Sequence, residues 1–113
     1  MGRERISMPT AAREAVSILG QLVRLARQDR GWTLEELGAR TGVSARTVRL
    51  IEHGDANVSL GNVFNVATTV GVPLFGTDDV RELSRMRIQG QERIALLPAR
   101  VRERKLPEVN LDF

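Results

Sequence analysis

Residues 32–54 read W-T-L-E-E-L-G-A-R-T-G-V-S-A-R-T-V-R-L-I-E-H-G, and this stretch decides the fold. Thr33 and Glu36 have the T-x-x-E spacing of a capping box. In that arrangement a hydroxyl and a carboxylate each satisfy an orphan amide, so a helix opens at Leu34. The helix runs to Thr41 and stops at Gly42, because glycine takes the left-handed backbone that closes helices. Ser44 has the side chain of an N-cap and opens the next helix, which ends near Glu52-His53-Gly54. The stretch is therefore two short helices joined by a sharp turn at Gly42-Val43.

Working outward, apolar residues recur at helical spacing before and after it. Val16, Leu19, Leu22, Val23, Leu25 and Ala26 predict a helix from about Ala11 to Arg30, ended by Gly31. Residues 55–58 read as a loop. Ser59 caps a helix from Leu60 to about Val70, with Leu60, Val63, Phe64, Ala67 and Val70 on one side. Val72-Pro73-Leu74-Phe75 begins a short fifth helix or turn. The expectation is an all-α, five-helix domain over residues 11–76, preceded by a charged, disordered N-terminal arm over residues 1–10.

Beyond Gly76 the pattern weakens. Thr77 is placed to cap a helix from Asp78 to about Ile88, and Gly90 interrupts it. Pro98 argues against one continuous helix through residues 91–105. The ending P-E-V-N-L-D-F alternates, with Val109, Leu111 and Phe113 on one side, which is a short strand signal. A lone strand in an all-α chain suits pairing with a second copy or docking on a partner. Residues 77–113 thus read as a C-terminal helical extension with a short strand, serving dimerisation, partner binding or both.

Composition narrows the function. The chain has 113 residues, 42% of them apolar, with three Phe, one Trp and no Tyr, so its small core must be aliphatic. It has no Cys, which removes disulfides and thiolate metal sites and fits a reducing compartment. No apolar run nears the roughly 20 residues that span a bilayer, and the N-terminus lacks a signal-peptide core, so a cytoplasmic location without membrane contact is expected. The net charge is +3, and Lys105 is the one lysine among 17 basic residues. Arginine's rigid fork suits phosphates and guanine edges, although a GC-rich coding sequence also favours arginine.

Catalysis finds no residue set. His53 is the only His, so it forms neither a dyad nor a multi-His metal site, and beside Gly54 it reads as a helix-end or phosphate-facing residue. Glu35 and Glu36 are adjacent in a helix and do not face each other. No phosphate-cradling or nucleophile-elbow motif occurs. The expectation is a non-enzyme with no cofactor and no metal.

Two helices in this arrangement present the second to the DNA major groove while the first crosses the backbone. Val48, Ile51 and Leu50 belong to the apolar side of the second helix, and Ala45, Arg46 and Arg49 point away from it. Arg46 is the leading base reader, since one guanidinium can hold both acceptors of a guanine. Arg49, a turn further on, can reach a base or a phosphate. Ser44, Thr47 and the backbone amides beginning at Thr33 and Leu34 can donate to phosphates. Ser44 and Thr33 are caps in either reading.

Residues 18–75 resemble the helix-turn-helix domain of the Xre/Cro/C1 family of bacterial and phage repressors. The resemblance lies in L-V-R-L-A-R from Leu22, in G-W-T-L-E-E-L, in T-G-V-S-A-R-T-V-R-L-I-E-H-G and in S-L-G-N-V-F-N-V-A. It implies a lambda-repressor-like fold that binds double-stranded operator DNA. It implies that Ala45, Arg46 and Leu50 face bases, and that Arg27 and Glu52 form a structural ion pair. Many members carry a DNA-contacting Gln where this chain has Leu34, so that contact is lost or replaced.

The C-terminal segment, R-I-A-L-L-P-A-R-V-R and then V-N-L-D-F, looks like the tail of HipB-like antitoxins. That resemblance implies a homodimer that represses its own operon and neutralises a HipA-like kinase toxin, with Val109, Leu111 and Phe113 as dimer or partner contacts. The other reading is a stand-alone regulator of the same family with no toxin partner.

Overall fold

The structure is a computed structural model, and it describes residues 7–101. Most of the expected N-terminal arm and the expected strand with Val109, Leu111 and Phe113 lie outside the described residues. Five α-helices are present: α1 (Thr10–Asp29), α2 (Leu34–Thr41), α3 (Ala45–Glu52), α4 (Leu60–Thr69) and α5 (Val80–Ala95). Among the described residues there is no strand, only a single bridge between Leu74 and Thr77. The chain divides into two compact units, one ending at Leu83 and the other beginning at Ser84.

In the first unit α3 packs against α1 and α2, and α4 packs against the same two helices. The enclosed core is aliphatic: Val23, Leu37, Val43, Val48, Ile51, Val66, Ala67, Val70 and Val72. Trp32 sits half-buried against it, with the Arg40 guanidinium 4.1 Å from its ring centre and that of Arg30 at 5.2 Å. Both guanidinium groups lie against the indole, in cation–π contact, on side chains that stay largely exposed. Arg30 also donates through Nε to the Val70 carbonyl at 3.0 Å, tying the end of α1 to the end of α4.

Gly20 makes the crossing of α1 over α3 possible. A Cβ there would stand 2.8 Å from the Glu52 carbonyl oxygen and closer still to that of Ile51. Both are backbone atoms and cannot swing aside.

Of the two readings of segment 72–75, the turn is the one formed. Several other expectations are corrected. Residues 11–76 hold four helices and not five, and the fifth begins at Val80. Phe75 and Gly76 both have positive φ (55° and 81°), which no α-helix accommodates. The cap of α5 is Asp79, which accepts from the Arg81 amide at 2.9 Å and starts the helical ladder with its carbonyl. Thr77 instead accepts from the Asp79 amide. Gly90 does not interrupt α5, because one glycine in a helix interior costs only about 1 kcal/mol. The helix stops at Ala95, three residues before Pro98.

The apolar stripes are also wider than the buried surface. Leu22 and Leu25 of α1 and Leu60 of α4 are exposed, whereas Val66 is fully buried. In the second unit Ile88, Ile94, Leu96, Leu97 and Val101 are exposed. Among the described residues no helix is long and apolar enough to cross a membrane.

Candidate nucleic-acid interface

The α2–turn–α3 element is built by caps at both ends of each step. Thr33 Oγ1 accepts from the Glu36 amide at 3.0 Å, and Glu36 Oε1 accepts from the Thr33 amide at 2.9 Å, completing the capping box. The Thr33 amide, and after it the Thr33 hydroxyl, hold the Glu36 carboxyl below its ordinary pKa by favouring its charged form. Gly42 closes α2 at φ 74°, ψ 14°, a left-handed position that suits glycine. Asn65 of α4 donates to the Thr41 carbonyl at 2.9 Å, so the turn is held from a third element.

Ser44 then caps α3. Its Oγ accepts from the Thr47 amide at 3.0 Å and donates to Thr47 Oγ1 at 2.9 Å. Val48 and Ile51 are buried and Leu50 is half-buried. Those positions fix the rotation of α3, which leaves Arg46 and Arg49 exposed, one turn apart. Among the described residues neither arginine side chain makes a hydrogen bond or an ion pair. Ala45 and Thr47 are half-buried at their sides, and Ser44 is exposed. His53 is exposed at the end of α3, where its amide donates to the Arg49 carbonyl.

The far end of α3 is tied down by charge. Arg27 Nε and Nη2 reach Glu52 Oε2 and Oε1 at 2.6 and 3.0 Å, a two-pronged pair, and Nη1 donates to the Trp32 carbonyl at 2.8 Å. Both side chains are largely buried, 11% and 4% exposed. The bond to Glu52 raises the already high Arg27 pKa, outweighing the opposite pull of burial. Each of the three guanidinium nitrogens donates within the fold, so Arg27 is placed as a structural group.

Leu34 is half-buried and packs against the core. At the N-terminus of α2 it offers a backbone amide. The first-turn acids Glu35 and Glu36 oppose an approaching phosphate there, so the charge for backbone contact must come from elsewhere. Sequence reasoning missed Gly20, Asn65 and the Arg30–Trp32–Arg40 stack. Each depends on contacts between elements far apart in the chain, and local patterning carries no signal for them.

A four-helix core that displays two arginines, their side chains unpartnered among the described residues, on the second helix of a tight helix pair has the layout of a helix-turn-helix module. Residues 23–76 match the helix-turn-helix family. The chain is also similar, at 26% identity over 91 residues, to a protein described as a Neisseria hypothetical transcription factor, from Neisseria meningitidis serogroup B. The alignment covers 80% of this chain and 77% of that protein. Fold, site and likenesses together support a DNA-binding transcriptional regulator.

Proposed function

We propose that this chain is a sequence-specific repressor that binds a palindromic operator as a homodimer and reads it with α3. The observation that carries this is the pair Arg46 and Arg49: exposed, one turn apart, and with no side-chain partner among the described residues. A guanidinium with all its donors open on the outward face of a recognition helix is matched to a guanine edge or a phosphate. Arg46 is assigned the base edge, and Arg49 the phosphate or the next base. Ala45 and Leu50 border the same groove, and Ser44 and Thr47 lie beside the phosphates.

Selection of bound DNA from a random pool tests the reading. The expected sequences are inverted repeats with half-sites about one helical turn, roughly 34 Å, apart. Arg46→Ala should cost about 1–3 kcal/mol and relax preference at one base position. Unchanged base preference in that variant would remove the direct-readout role, and selected sites without dyad symmetry would remove the dimeric mode.

The antitoxin role, with a HipA-like kinase toxin as partner, rests on the likeness of residues 93–113 to HipB-like tails. Co-purification with such a kinase, lost on deleting residues 106–113, is the expected result. Failure to bind a kinase encoded beside it would leave the stand-alone regulator.

A further inference from the structure

We infer that a second copy of this chain docks on the face made by the start of α4, the 71–77 turn and the outer stripe of α1. In a chain that is 27% charged, Ala56 through Thr77 carries no Asp, Glu, Lys, Arg or His. The helix α4 lies wholly inside that stretch, yet its first residue, Leu60, is 66% exposed. Depletion of charge around exposed apolar side chains marks the centre of a protein interface.

Phe75 points the same way. It is 73% exposed and holds a left-handed φ of 55°, which is strained for a residue with a Cβ. That strained backbone sets its ring edge-on to Phe64, centres 6.2 Å apart. The ring contact offsets part of the strain within the fold. It still leaves most of the phenylalanine in water, where a contact outside the molecule would cover it.

The face has relief. Phe64, Leu60, Val63, Val16 and Leu19 line a groove of about 290 Å³ between α1 and α4. On the other side of the turn, Leu22 and Leu25 border Gly71, Val72 and Pro73. Ile18, Leu22, Leu25, Leu60 and Phe75 are 45–73% exposed. Together they present roughly 500 Å² of apolar surface, so two such faces would cover about 1,000 Å², the threshold for a specific interface.

A recess beside projecting Leu60 and Phe75 on one patch is the self-complementary layout that a two-fold contact requires. The groove between α1 and α4 is a poor seat for DNA, since its lining holds no cation and has Asp55 on the wall. The choice of a second copy as occupant rests on the dimeric repressor reading above. The loop 53–59 runs from α3 directly into this face, so a copy seated there is held at a set offset from Arg46 and Arg49.

Sedimentation equilibrium on the full chain tests this, with Leu60→Glu and Gly61→Glu as the variants. A side chain added at exposed Gly61 meets no atom within 4 Å, so that change leaves the fold intact even where Leu60→Glu perturbs it. Circular dichroism verifies helix content in both. Burying an unpaired carboxylate should weaken self-association at least about tenfold in each variant, while Arg46→Ala leaves it unchanged. A parent chain that stays monomeric, or variants that associate as the parent does, would overturn the inference. So would dissociation on deleting residues 102–113 with Gly61→Glu still dimeric, which would move the contact to the tail. A dimer broken by these variants that binds no DNA would instead overturn the repressor reading and leave the docking face standing.

Discussion

The outward face of α3 and its C-terminal end meet the same kind of side chain in opposite circumstances. On the outward face, Arg46 in the first turn and Arg49 in the last stand in solvent with no side-chain partner among the described residues. At the C-terminal end, Arg27 reaches across from α1 and is consumed by Glu52 and the Trp32 carbonyl. Residue type does not separate these roles. What separates them is how many guanidinium donors the fold leaves open. The occupied arginine anchors the helix, and the open ones are what the anchored helix displays.

Breaking the anchored end should give the largest effect. Glu52→Ala strips the carboxylate from a buried guanidinium and should cost about 3–5 kcal/mol of stability, read as a loss of thermal midpoint. A variant melting within a degree or two of the parent would mean that the pair contributes nothing to the fold. Gly20→Ala attacks the same end through sterics. Its methyl group meets the backbone of Ile51 and Glu52 and should cost about 1–3 kcal/mol in urea unfolding. Free accommodation of that methyl would show that α1 and α3 can separate without loss.

The open face should respond in the reverse sense. Arg49→Ala should leave stability within about 0.5 kcal/mol of the parent. It should weaken binding alike for all DNA sequences and lower the salt slope by about one unit. A variant that loses stability instead of DNA affinity would place Arg49 with Arg27 among the anchors.

The smallest effect concerns the cap that starts the reading element. The folded Glu36 carboxyl has a lowered pKa, so its contribution is complete above the ordinary carboxylate value, near pH 4.3. It fades as the pH falls through the lower folded value, where the carboxylate takes up its proton. The parent should therefore melt above Glu36→Gln at neutral pH, and the gap should narrow in acid below pH 4. A gap that widens on acidification would contradict the capping-box origin of the shift.

Much of the reading element is legible in the residues themselves, since its signals act within one turn. Thr33, Ser44 and Ser59 are caps because a hydroxyl three residues before an amide can reach it, and each makes that bond. Gly42 closes α2 for an equally local reason. The same locality explains the failures. The run Val72 to Phe75 resembles a helix start, and its left-handed end is set by Gly76 and by Phe64 opposite Phe75. Leu60 fits the apolar period of α4 as well as Ala67 does, yet one is exposed and the other buried, because helical phase says nothing about how far a neighbouring helix extends.

What the sequence determined by itself is the helices of the DNA-reading pair, their caps and which side of α3 is apolar, all consequences of hydrogen bonds and spacings between near neighbours. Which arginines are open, why position 20 must lack a side chain, and which apolar residues remain uncovered are matters of packing between helices. Those depend on the distance between α1 and α3 and on where α4 and its turn come to rest, and such distances are set by the packing of the whole unit.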